Sequence, residues 1–156
     1  MKSYHSSVSE MWNRFTDSNP EFKQKKYTAW YFCDNEKCAN ELAELVKRGI
    51  KRGTATLLYW IEKGKETLAQ KRDYSVVTDW DGIAQCIIQT KNITLLPFNE
   101  ITKELAFIEG EGDKSLDYWK QAHRNYFTRN LINESIDFKD DMIVVFEEFE
   151  LIYPKF

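Results

Sequence analysis

An amphipathic helix that has to stop at Gly49, with a strand beginning at Thr54, is the strongest constraint this chain places on its own folding. Ala39, Leu42, Ala43 and Val46 recur at helical spacing and form one apolar face, and Asp34 stands where it can cap the helix that carries them. Gly49 can take the left-handed conformation that closes a helix, and Gly53 frees the main chain to pass close to a ligand. The turn between them brings the amine of Lys51 and the hydroxyl of Thr54 to one place, just after Lys47 and Arg48. Such a grouping suits anion binding or acyl chemistry. It lacks the full glycine-rich phosphate loop with adjacent Lys-Ser/Thr, so a nucleotide triphosphatase is not indicated.

The rest of the chain alternates helices and strands without a βαβ rhythm. Ser7-Val8-Ser9-Glu10 reads as a capping box, with Ser7 as N-cap, ahead of Met11, Trp12 and Phe15 at helical spacing, and this first helix is expected to end before Pro20. Thr28 to Phe32 and Thr54 to Trp60 have strand character, and Gly64 closes the second of these. Tyr74 to Thr78 and Ile83 to Thr90 flank Asp79-Trp80-Asp81-Gly82, whose Asp-Gly step predicts a hairpin. Asn99 can cap a short helix through Leu105 and Ile108 that the glycines at 110 and 112 break, and Asp113 or Ser115 can cap a longer one. On that longer helix Leu116, Trp119, His123, Tyr126 and Phe127 share a face, and Met142 to Tyr153 closes the chain as a strand. The expected class is α+β, a compact sheet or barrel with flanking helices.

Length and charge bound what such a domain can do. A chain of 156 residues can bury roughly 68–70% of its unfolded surface and needs no staples. Cys33, Cys38 and Cys86 are odd in number and the first two are not in tight Cys-x-x-Cys spacing, so all three are expected to be reduced thiols. The start, Met1 to Ser7, has no apolar leader and no segment is apolar for the length of a membrane span, from which a cytoplasmic protein without membrane contact is expected. A net charge of −3 argues against broad binding to duplex DNA, which needs an extended positive surface to displace counterions.

Several blocks, taken in order, carry a family resemblance: Tyr27-Thr28-Ala29-Trp30-Tyr31-Phe32, Asp34, and Gly49-x-Lys51-Arg52-Gly53-Thr54-Ala55-Thr56. They continue with Val76-Val77-Thr78-Asp79-Trp80-Asp81-Gly82, Leu96-Pro97-Phe98-Asn99, Phe107-x-Glu109-Gly110-Glu111-Gly112-Asp113-x-Ser115-Leu116-x-x-Trp119 and Glu147-Glu148-Phe149. In order and spacing the chain resembles the ASCH-domain family, in its longer bacterial branch. The resemblance implies a PUA-like β-barrel with flanking helices, one domain over residues 1–156 with an N-terminal helical extension at about 1–26, and a link to RNA or modified nucleosides.

In the short acetylcytidine amidohydrolases of that family the site is a lysine, a threonine three residues on and a later glutamate. Residue for residue these resemble Lys51, Thr54 and either Glu109 or Glu111. The resemblance thus implies an acetylcytidine-like amidohydrolase, with Thr54 as nucleophile and Lys51 as base. A lysine base needs desolvation or neighbouring cations to bring its pKa well below about 10.4. The alternative is an RNA-binding module or ribonuclease that uses the same basic cleft, with Arg48, Arg52, Trp30, Asp79 and Trp80 as further contacts to nucleoside or RNA. Each of these residues also has a plain structural reading: a solvated lysine, a strand-opening threonine, carboxylates ahead of a helix, turn aspartates. This chain departs from the short enzymes in carrying Thr56 where they have arginine. No cofactor and no metal site is expected, and His123 is read as a helix-face residue.

Overall fold

In the computed structural model, residues 3–155 are described; Met1 and Lys2, the first two residues of the expected N-terminal extension, lie outside them. Five strands, β1 (Thr28–Trp30), β2 (Gly53–Leu57), β3 (Tyr74–Thr78), β4 (Ala84–Pro97) and β5 (Ile143–Tyr153), form one mixed sheet in the order β1-β3-β4-β5-β2. Only β1 and β3 pair in parallel. The long antiparallel pair β4·β5 shifts register at Ile87/Ile88 and Thr90/Asn92, and such bulges bend and twist a ladder. The sheet consequently curls into a half-barrel flanked by five helices, α1 (Ser6–Ser18), α2 (Glu36–Lys47), α3 (Leu58–Glu62), α4 (Lys103–Glu109) and α5 (Leu116–Leu131).

Strand alternation sorts β3 into two cores. Tyr74 and Val76 meet Val8, Trp12 and Phe15 of α1, whereas Val77 meets Ala43 and Val46 of α2. The α1 helix is therefore packed onto the sheet, with Trp12 stacked on Tyr27 at 4.4 Å. A third core joins α4 and α5 to β2 and β5 through Leu57, Phe98, Trp119, Phe127, Val144 and Phe146.

Several local expectations shift. His5 caps α1, one residue before its first turn, because its Nδ1 accepts from the Ser7 amide. Asn35 caps α2, its side chain accepting from the Cys38 amide, while Asp34 turns away to hold Arg129. Past Leu57 the expected strand becomes α3, whose Tyr59 and Trp60 pack against the third core. The strand expected to stop near Thr90 runs on to Pro97, because β5 gives it pairing partners as far as Ile143.

The cysteine reading is corrected as well: Cys33 and Cys38 form a disulfide, and Cys86 is the buried free thiol. The chain takes a positive φ of 68° at Cys33 and enters α2 at once, which brings the two Cα atoms to 6.0 Å, inside the range a disulfide spans. Gly53 also differs from expectation. A Cβ there would lie 2.8 Å from the Phe146 ring, so glycine is required for packing against β5 rather than for approach to a ligand.

Candidate active site

Two glycines bring two helix ends together. At the end of α2, Gly49 has φ of 71°, with its amide on Val46 O and that of Ile50 on Leu45 O, the hydrogen-bond pair of a Schellman closure. At the end of α4, Gly110 has φ of 75°, and the Arg52 amide donates to Ile108 O at 2.9 Å. The two turns touch: a Cβ on Gly110 would stand 2.8 Å from the carbonyl carbon of Ile50 and 3.1 Å from the Cα of Lys51. Gly110→Ala is therefore expected to cost about 2–5 kcal/mol, combining a strained left-handed backbone with overpacking, a loss that urea denaturation would measure.

This contact sinks Lys51 into the protein. Its side chain is 1% exposed, and its ammonium meets Gly53 O at 2.7 Å, Glu111 Oε1 at 2.9 Å and Glu109 Oε1 at 3.6 Å, over the Phe32 ring at 4.9 Å. The ammonium donates to Gly53 O and Glu111, while Glu109 adds a charge contact without a hydrogen bond. Glu109, also buried, takes hydrogen bonds from Trp119 Nε1 and from His123 Nε2, the latter at 3.0 Å. The other imidazole nitrogen, Nδ1, faces Trp119 O at 2.9 Å, so both ring nitrogens point at acceptors, as suits a doubly protonated ring. The imidazole also stacks on Trp119 at 4.0 Å. Two cations and two carboxylates balance in one cluster, and among the described residues no buried side-chain nitrogen or oxygen lacks a partner.

Ionisation follows from this packing. Burial would push the Glu109 carboxyl up, but the charges of His123 and Lys51 and the hydrogen bonds from His123 and Trp119 outweigh it and hold the acid at about 2. Burial would likewise push His123 down, yet the charge and hydrogen bond of Glu109, with help from Glu111, hold it above its usual 6.5. Stability from Glu109 is present above its usual 4.5 and disappears as pH falls toward 2. Stability from His123 is present below 6.5 and disappears as pH rises through its raised value. Urea midpoints should therefore be highest between about 4.5 and 6.5 and fall on both sides, and His123→Gln should remove the alkaline decline.

In front of the cluster lies a cavity of about 950 Å³ between β1, β2, β5, the start of α2 and α5. Thr54, Glu109, Glu111 and Trp30 line it, and Lys51 sits behind its wall, in contact with both glutamates. The other expected contacts are not brought in. Arg48 and Arg52 are exposed and lie outside the wall, because the Gly49 turn carries their side chains to the surface while Lys51 turns inward. Asp79 is engaged within its hairpin, accepting from the Ile83 amide and from Gln85 Nε2. Trp80 leans on Tyr31 at 5.0 Å outside the wall, though Tyr31 itself lines the cavity.

Four wall residues escape a reading of the chain alone: His123, Arg129, Tyr126 and Glu147. Arg129 closes one side by a two-pronged contact with Asp34, at 2.9 and 3.0 Å. Thr56, where an arginine was expected for the short enzymes, donates to Glu66 at 2.6 Å. Glu109, Glu111 and His123 present ligand atoms within 4.8 Å of one another, a grouping able to hold a metal ion, but the cation lying against both carboxylates is the ammonium of Lys51. Among the described residues no helix is long and apolar enough to cross a membrane.

Comparison with known proteins agrees with this fold. A sequence model described as the ASCH domain matches residues 28–153. The crystal structure of an ASCH domain from Lactobacillus crispatus superposes with a TM-score of 0.89 at 34% identity, covering 97% of both chains. A protein of Enterococcus faecalis superposes with a TM-score of 0.84 at 28% identity, over 94% of this chain and 88% of the other. None of the curated proteins compared with the chain matches it.

Proposed function

The chain belongs to the ASCH-domain family, and from that premise we propose that its cavity is the active site of an amidohydrolase that removes an acyl group from the exocyclic nitrogen of a modified nucleoside, acetylcytidine being the type. One observation carries the proposal: a strand hydroxyl, Thr54, faces the same cavity as two carboxylates that close round a buried lysine. In this reading Thr54 is the nucleophile. The Lys51 ammonium passes a proton to Glu111, 2.9 Å away, and the amine so formed takes the proton of the Thr54 hydroxyl as its oxygen attacks the acyl carbon. Glu109, tied to Trp119 and His123, stays ionised and keeps the lysine in position. Trp30 and Tyr126 offer aromatic faces to a base, each such contact being worth about 1–3 kcal/mol. The whole of residues 1–156 is taken as one domain, a view supported by the burial of α1 residues against β3 and β4.

The wall's charge bears on the competing reading, an RNA-binding module or ribonuclease. Lys26, Lys65, Arg129 and the charged His123 line the cavity, but so do Glu41, Glu66, Asp73, Glu109, Glu111 and Glu147. A wall with more carboxylates than cations favours a neutral nucleoside over a phosphate backbone. The test is incubation of the purified protein with a panel of N-acylated nucleosides, followed by chromatography. Release of the free nucleoside supports the hydrolase; no turnover of any member, together with saturable and salt-sensitive RNA binding, moves the assignment to the module.

A further inference from the structure

We propose that Glu147 is the proton donor to the departing nitrogen in this cavity, a role that rests on the hydrolase reading. It stands on β5 directly opposite Thr54 of β2. Facing residues of an antiparallel pair put their Cβ atoms about 4.5–5.5 Å apart on one side of the sheet. The next pair along, Ala55 and Phe146, belongs to the third core, so Thr54 and Glu147 share the opposite face, and both line the cavity. Thr90 on the neighbouring strand donates to Glu147 Oε1 at 2.6 Å and fixes the carboxyl beside the nucleophile.

The cavity contains acids in two contrasting environments. Glu109 is surrounded by cations and donors and is held ionised. Glu147 is pushed up chiefly by burial, and further by the charge of Asp73, while the Thr90 hydrogen bond and Lys51 pull the other way without reversing it. Environments that drive two carboxyl groups apart in this manner separate the group that carries charge from the group that carries a proton.

The proton balance closes with this assignment. As Thr54 Oγ bonds to the acyl carbon its proton passes to the Lys51 amine; the carbon–nitrogen bond then breaks, and nitrogen takes the proton of Glu147 to leave as a neutral amine. Water attacks the resulting Thr54 ester and gives one proton to the Glu147 carboxylate. The carbon–Oγ bond breaks and Lys51 returns its proton to Thr54, so the sum is amide plus water to amine plus carboxylic acid.

Dependence on the leaving group tests the role. Glu147→Gln keeps an acceptor for Thr90 and a similar shape. With acetylcytidine, kcat should fall roughly 10²–10⁴-fold, the usual worth of a positioned acid or base, at nearly constant KM. With 4-nitrophenyl acetate, whose leaving oxygen needs no proton, the Thr54-dependent burst of nitrophenol should keep its rate, which also reports that the variant is folded, while the steady state slows because deacylation has lost its proton acceptor. An equal loss in acetylcytidine turnover and in the nitrophenol burst would mark Glu147 as structural, and no loss in acetylcytidine turnover would mark it as a bystander; each result overturns this role alone. A wild type inactive toward every acylated nucleoside would overturn the hydrolase reading and this role with it.

Discussion

Replacing Lys51 with methionine is expected to lower the stability of the protein by about 3–5 kcal/mol, because removing one partner of a buried ion pair leaves uncompensated charge. Two carboxylates, not one, depend on that ammonium: Glu109 at 3.6 Å and Glu111 at 2.9 Å, with side chains only 2% and 16% exposed. The family resemblance suggests a lysine at the rim of a cleft, whose truncation would spare the fold. Its 1% exposure reverses that expectation. Adding Glu111→Gln to the lysine variant should restore part of the loss, since one of the two stranded charges is then gone. Urea denaturation of the two variants beside the wild type measures both effects.

Thr54→Ala should do the opposite, removing turnover while sparing the fold. The residue is half-buried at the cavity wall, and its methyl-bearing neighbour Ala55, on the other face, carries the packing into the core. Loss of the nucleophile from a unit that acts together costs about 10⁴-fold or more in kcat, and the Lys51 variant, where it folds, should add little to it. The stability change should stay within about 1 kcal/mol, as for substitutions away from cores and caps.

What the chain disclosed and what it withheld follow from the range of the interactions concerned. Gly49 and Gly110 are legible as helix stops because the left-handed conformation is a local need, and both have positive φ. The Tyr74–Thr78 strand and the turn at Asp79-Trp80-Asp81-Gly82 were equally local and stand where they were expected. The limits of α3 and of the far half of β4 depend instead on packing against the third core and on pairing with β5, partners that lie far along the sequence.

The site divides in the same way. Lys51 and Thr54 are three residues apart and could be read as a pair, and Glu109 and Glu111 followed from the family pattern. His123 could not be read so, since its partner Glu109 is fourteen residues away across a helix break, and a lone histidine on an aromatic face looks like core. Glu147 joins the site only through the register of β2 against β5, which no spacing reveals. Arg48 and Arg52 illustrate the converse. They flank Lys51 in sequence, but a turn sends successive side chains in different directions, and only the lysine points inward.

Trapping of the acyl-enzyme tests the central claim most directly. The protein is mixed with acetylcytidine, quenched in acid within the first turnovers, digested and examined by mass spectrometry. A single acetyl group on Thr54, absent from Thr54→Ala and accumulating when Glu147→Gln is given 4-nitrophenyl acetate, is the expected result. Release of cytidine with no acetyl group ever found on Thr54, or with the label on Lys51 instead, would contradict it.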